Sequence, residues 1–151
     1  MTTRPPGMPT LDLTLPGSFG SINDIVYETY QAKPAGTGTF NTFEQIQHNG
    51  IEQGYNTDGT TQFDTSTTAN FNHSILLAQV PIVIGDGTNG TIDGVAYRQF
   101  LLDMNEPGGV SSFLSLDKLQ IWQEETGNLS GFTPGAGFSG HTNNLVYDLD
   151  A

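Results

Sequence analysis

Nowhere in the 151 residues do apolar side chains keep the roughly 3.6-residue spacing of an amphipathic helix. Short β-like runs recur instead, roughly every 8 to 15 residues, between clusters of Gly, Pro, Asn and Asp. Nineteen glycines and eight prolines supply that punctuation. Gly does so by tolerating positive φ, Pro by fixing φ and removing a backbone donor. Strands at this spacing, joined by turns, predict an all-β chain: an antiparallel β-sandwich, jelly-roll-like, with an extended N-terminal arm. The expected division is an arm over residues 1–20 and one sandwich domain over 21–151. No internal repeat of 20–50 residues is visible.

The arm opens with MTTRPPGMP, too rich in proline for a helix. Leu11, Leu13 and Leu15 then alternate with Asp12 and Thr14 ahead of Pro16-Gly17, giving one apolar face at period two. A strand bounded in this way can pair within its own domain or with a neighbour. Further strands are expected at residues 24–30, 39–48, 50–55 and 71–84, the last with Pro81 at an edge or bulge. Residues 95–104 (VAYRQFLLDM) form the best strand of all. A helical turn at 115–118 is expected to lead into the strand LQIWQ, and LVYDLD at 145–150 closes the chain.

Charge narrows the function. Sixteen carboxylates face only Arg4, Lys33, Arg98 and Lys118, a net −12. Nucleic acids and anionic membranes require clustered Lys and Arg, so neither is an expected partner. Carboxylate-rich surfaces attract divalent cations, and outside the cell that means calcium. With no cysteine, thiolate catalysis, thiolate metal sites and disulfides are excluded. The longest apolar run, around residues 75–84, is interrupted by Gln79 and Pro81 and falls short of a membrane span. The N-terminal segment also lacks the apolar core of a signal peptide.

Most catalytic motifs dissolve in context. Gly85-Asp86-Gly87-Thr88-Asn89-Gly90 fits G-x-G-x-x-G, but a dinucleotide site needs a helix to follow, and Thr91-Ile92-Asp93-Gly94 is another turn. Gly137-Phe138-Ser139-Gly140-His141 approaches a nucleophile elbow without its final glycine or its α/β framework. His48, His73 and His141 show no zinc spacing. Glu124 and Glu125 are adjacent, so a strand would turn them to opposite faces. No enzyme activity is expected.

The acidic loops carry more. Asp103 and Asn105 share one face at the end of the best strand, and Asp117 enters the next. Their oxygens are the candidate ligands of a structural Ca²⁺. Asn56, Asp58 and Asp64 form a second, weaker cluster, for which Asx-turn bonding is the simpler account. Asn72, Asn89 and Asn128 head N-x-S/T sequons, which matter only where the source glycosylates its surface proteins.

Several segments occur in a recognisable order. They are Glu52-Gln53-Gly54-Tyr55-Asn56-Thr57-Asp58, Gln62-Phe63-Asp64, Ser74-Ile75-Leu76-Leu77 with Val80-Pro81, and Tyr97-Arg98-Gln99-Phe100-Leu101-Leu102-Asp103-Met104-Asn105. Leu114-Ser115-Leu116-Asp117-Lys118-Leu119-Gln120-Ile121-Trp122 and Val146-Tyr147-Asp148-Leu149-Asp150 follow. Over residues 22–151 the chain resembles a group of secreted bacterial β-sandwich proteins, some with a PEP-type C-terminal sorting anchor. That resemblance implies export, a cell-surface or matrix setting, and no enzymatic activity. Related chains continue past the VYDLD strand with a further β-run, whereas this one stops at Ala151. A sandwich short of a strand would offer a groove that the Leu11, Leu13, Leu15 strand of the next subunit can fill.

These readings combine into one expectation: an extracellular or cell-surface structural protein, a fibre or matrix subunit that polymerises with itself through its N-terminal strand. The alternative is a calcium-stabilised module that binds extracellular polysaccharide, with Trp122, Tyr97 or Tyr147 as stacking platforms. For those rings, core packing is the simpler account.

Overall fold

The computed structural model describes residues 10–29, 41–104, 114–141 and 144–151. Among these residues the chain is all-β. It contains no α-helix, and its strands are short and paired two by two. In chain order they are β1 (Phe19–Ile22), β2 (Ile25–Glu28), β3 (Ile82–Ile84), β4 (Ala96–Arg98), β5 (Gln120–Trp122), β6 (Phe132–Thr133), β7 (Gly137–Phe138) and β8 (Leu145–Asp148). The pairs are β1–β2, β3–β4, β5–β8 and β6–β7. Two compact units emerge: Met1–Gly36, Pro81–Ile121 and Tyr147–Ala151 in one, Thr37–Val80 and Trp122–Val146 in the other.

In the first unit, β1 and β2 form a tight hairpin with Ile22 opposite Ile25. Its two turn residues, Asn23 and Asp24, have φ of 48° and 65°. Positive φ at both positions makes the turn that matches strand twist, and Asn and Asp are the non-glycine residues that tolerate it best. The turn also aims the Asn23 amide at the carbonyls of Asp148 and Leu149, 3.0 and 3.1 Å away. Tyr147 of β8 is buried, and its hydroxyl donates to the Ile22 carbonyl at 3.2 Å. The Tyr27 hydroxyl lies 2.7 Å from that of Tyr147. Burial, reinforced by this bond, raises the Tyr27 phenol well above the usual range and keeps it protonated.

The second hairpin of this unit sets Ile82 opposite Arg98 and Ile84 opposite Ala96. Its connection is closed by Gly85 N–H to the Val95 carbonyl (2.8 Å) and Gly94 N–H to the Gly85 carbonyl (2.9 Å). Asp86 accepts from the N–H and hydroxyl of Thr88, an Asx turn. The glycine-rich run is thus the hairpin loop its context indicates.

The second unit packs around aromatic rings. The β6–β7 hairpin places Phe132 directly opposite Phe138, ring centroids 5.1 Å apart. Tyr55 meets Phe138 edge-on at 5.0 Å and Trp122 does so at 5.3 Å. Edge-to-face pairs of this kind add roughly 0.5–1.5 kcal/mol each beyond buried area. The Trp122 ring lies over Gly137, where a Cβ would come within 2.6 Å of it and where φ is +76°. No side chain but glycine's fits there. The side-chain amide oxygen of Gln62, Oε1, holds the cluster from its rim, accepting from the Tyr55 hydroxyl (2.6 Å) and the Phe132 N–H (2.7 Å).

Several expected strands are shorter or missing. Residues 71–84 contain a 3-10 turn at Leu77–Gln79, and only Ile82–Ile84 is strand. The Gln79 side chain accepts from Leu76 N–H and closes that turn, and Pro81 cannot donate to a ladder. Residues 95–104 ladder only as far as Arg98, because β3 ends between Pro81 and Gly85 and offers no longer partner. Of 39–48 and 50–55, the described part contributes one isolated bridge, Ile46 to Thr65. Residues 115–118 form no helical turn. β1 begins at Phe19, so the last residues assigned to the arm belong to the first hairpin.

Candidate functional site

Among the described residues, two features of the first unit leave apolar side chains exposed. One is the arm. Residues 10–14 join no ladder among the described residues. Leu11 lies over Gly20 of β1, where a Cβ would come within 2.5 Å of its Cδ1. Leu13 is half-buried and Leu15 is 68% exposed. The arm is held locally. The Asp12 carboxylate accepts from the N–H and hydroxyl of Thr14, which lowers its pKa. Beyond it, Gly17 N–H donates to the Thr29 hydroxyl at 2.7 Å.

The other feature is the β3–β4 hairpin. All three β3 side chains are exposed, Ile82 at 58%, Val83 at 37% and Ile84 at 63%. Beyond β4, Phe100, Leu101 and Leu102 are exposed too. A strand apolar on both faces has the composition of one that is covered on both sides, yet among the described residues β3 pairs with β4 alone. Its polarity is also defined. Gln99 N–H donates to the Pro81 carbonyl and Gly85 N–H to that of Val95. Residues 81, 83 and 85 therefore bond inward, while Ile82 and Ile84 turn their N–H and C=O to the open edge.

The expected calcium ligands fall partly outside what is described. Asp103 and Asp117 are both exposed, and Asn105 lies outside the described residues. Among the described residues no group of three or more His, Asp or Glu side chains converges. In the second cluster the side chains tie together segments distant in sequence instead of closing local Asx turns. Asp58 accepts from the N–H and hydroxyl of Ser74 (3.0 and 2.6 Å), which lowers its pKa. Asp64 accepts from Gln53 N–H, and the Asn56 amide donates to the His73 carbonyl.

The three sequon asparagines differ sharply. Asn72 is buried and its Oδ1 accepts from Thr57 N–H at 2.9 Å. Asn89 and Asn128 are exposed. The candidate stacking rings are also occupied. Tyr147 is buried, the Tyr97 hydroxyl accepts from Ile92 N–H, and Trp122 packs against Phe138.

In the second unit an open cleft of about 530 Å³ is lined by Gln123, Glu124, Glu125, Thr126, His141 and Asn144. His141 Nδ1 stands 3.0 Å from Glu124 Oε1, an ion pair when the ring is protonated. That oxygen is buried but not aligned for a hydrogen bond. The Thr126 hydroxyl donates to the Asn128 side-chain oxygen at 2.8 Å.

No protein-family model, curated protein or solved structure matches the chain. What the sequence reading missed is the open β3 edge. Its signal is there: Ile82-Val83-Ile84 and Phe100-Leu101-Leu102 are unbroken apolar triplets where a strand solvated on one face would alternate.

Proposed function

We propose that this chain is an extracellular structural protein, a subunit that polymerises non-covalently with copies of itself through its N-terminal strand. In the assembled form the paired strands complete a jelly-roll-like sandwich. The supporting observation is the arm, with three alternating leucines on a segment that joins no ladder among the described residues and leaves Leu15 exposed. Burying three leucines in a neighbour is worth roughly 4–8 kcal/mol before ordering costs. A head-to-tail contact that does not close produces a filament. The low charged fraction, 13%, fits the same setting. A structural calcium ion at Asp103, Asn105 and Asp117 belongs to this reading.

The test is assembly of the full chain against Leu13→Asp and a deletion of residues 1–16, by negative-stain microscopy and sedimentation. Wild type should form fibres or large oligomers. Both variants should remain small with β-rich circular dichroism, because Asp at position 13 carries an unpaired charge into the contact. Unchanged assembly in either variant rejects the arm as the linking strand.

A further inference from the structure

We propose that β3 is a homodimer edge: two copies of the chain pair β3 to β3 antiparallel about a two-fold axis at Val83, joining two hairpins into one four-stranded sheet. This contact is independent of the arm and differs from it in symmetry.

The argument begins with main-chain direction. Ile82 and Ile84 point N–H and C=O away from β4, and no strand among the described residues receives them. Setting Ile82 of one copy opposite Ile84 of the other makes a hydrogen-bonded pair, and the two-fold axis generates a second. Three residues thus supply four main-chain bonds. The register is unique within β3. A slip in one direction brings in Val80, whose N–H is already bonded to the Leu77 carbonyl, and a slip in the other brings in Asp86 and its turn.

The side chains favour the same partner. In this register the isoleucines of the two copies face one another as β-branched cross-strand pairs. The exposed parts of Ile82, Val83, Ile84, Phe100, Leu101 and Leu102 offer on the order of 600 Å² per copy, near the roughly 800 Å² a side of a standard interface. β3 carries no charge of its own, whereas most edge strands that must stay single carry a charge or a bulge to prevent this pairing. The chain is acidic, at net −12, so an uncharged edge is where two copies can approach.

Cysteine trapping gives a direct test, since the chain has no cysteine. Val83 is the central, non-hydrogen-bonded pair, where Cα atoms stand about 4.5 Å apart and a disulfide can close. The full chain with Val83→Cys should form a disulfide-linked dimer under mild oxidation at least tenfold faster than the Ile51→Cys control, placed at an exposed position of the other unit. Adding Ile84→Pro removes one outward N–H but no hairpin bond, and should reduce the Val83→Cys rate to that of the control with circular dichroism unchanged. Equal rates for Val83→Cys and Ile51→Cys would overturn the proposal. So would efficient cross-linking of Ile84→Cys to a Leu13→Cys chain in a mixed sample, which would make the arm the occupant of this edge.

Discussion

At the scale of single residues the most consequential group is Glu44. Its Oε1 accepts from the Thr65 hydroxyl at 3.1 Å, while Oε2 is buried with no hydrogen-bond partner. Burial raises its pKa from 4.5 to about 7, against the opposing bond from Thr65. The folded state therefore holds this proton more tightly than the unfolded chain does. Its contribution is complete below pH 4.5 and is lost as pH rises through 7. Because the side chain is partly solvated, the loss amounts to about 1–2 kcal/mol after screening. Asp58, Asp86 and Asp148 act in the opposite sense. Hydrogen bonds lower their pKa below 3.8, outweighing burial at Asp148, so their stabilisation is lost as pH falls through the acid range. Thermal unfolding should show a maximum between the two, near pH 5. Glu44→Gln should flatten the decline from pH 5 to pH 8 and raise Tm at pH 8, and an unaltered slope would show that Glu44 is not its source.

At the scale of elements, stability in the second unit rests on the β6–β7 hairpin. Phe138 is only 4% exposed and touches Tyr55, Trp122 and Phe132 at once. Phe138→Ala should cost about 3–5 kcal/mol, the range for a buried ring replaced by a cavity. It should also erase the near-ultraviolet circular dichroism of Trp122 while β1–β2 persists in the far ultraviolet. This cluster marks the limit of what the sequence could reveal. The runs IVYE, QIW and LVYD read as strands because β-branched and aromatic residues fit a pleated, half-buried surface, and the hairpin loop at 85–94 was legible from its glycines. Partner choice was not. Which strand lies beside which depends on long-range closure, so the shortness of β4, set by Pro81 and Gly85 on its partner, could not be read from VAYRQFLLDM. Asn23-Asp24 was a local signal for a hairpin, yet without glycine it resembles any polar pair. The calcium expectation assumed that 95–104 is one long strand holding Asp103 and Asn105 on a common face. The ladder ends at Arg98, five residues before Asp103, and Asn105 lies outside the described residues.

At the scale of the whole molecule, charge and apolar surface compete. Every copy carries net −12, so bringing copies together concentrates like charge, while the arm leucines and β3 contribute attraction that is not electrostatic. Raising salt from about 0.02 M to 0.5 M shortens the screening length from roughly 20 Å to 4 Å. The repulsion is removed and the apolar attraction remains, so assembly should increase steadily with ionic strength by light scattering. A polymer held by ion pairs would dissociate over the same range. Calcium can act in two ways, by screening or by occupying Asp103, Asn105 and Asp117, and matched ionic strength separates them. If those residues bind it, millimolar calcium should raise Tm by mass action on the native state, a chelator should reverse the gain, and equal ionic strength of sodium chloride should not reproduce it. Asp103→Asn with Asp117→Asn should then abolish the Tm gain while leaving salt-driven assembly in place. Should calcium and sodium prove equivalent at equal ionic strength, the acidic loops act only as a diffuse charge, and assembly is governed by screening alone.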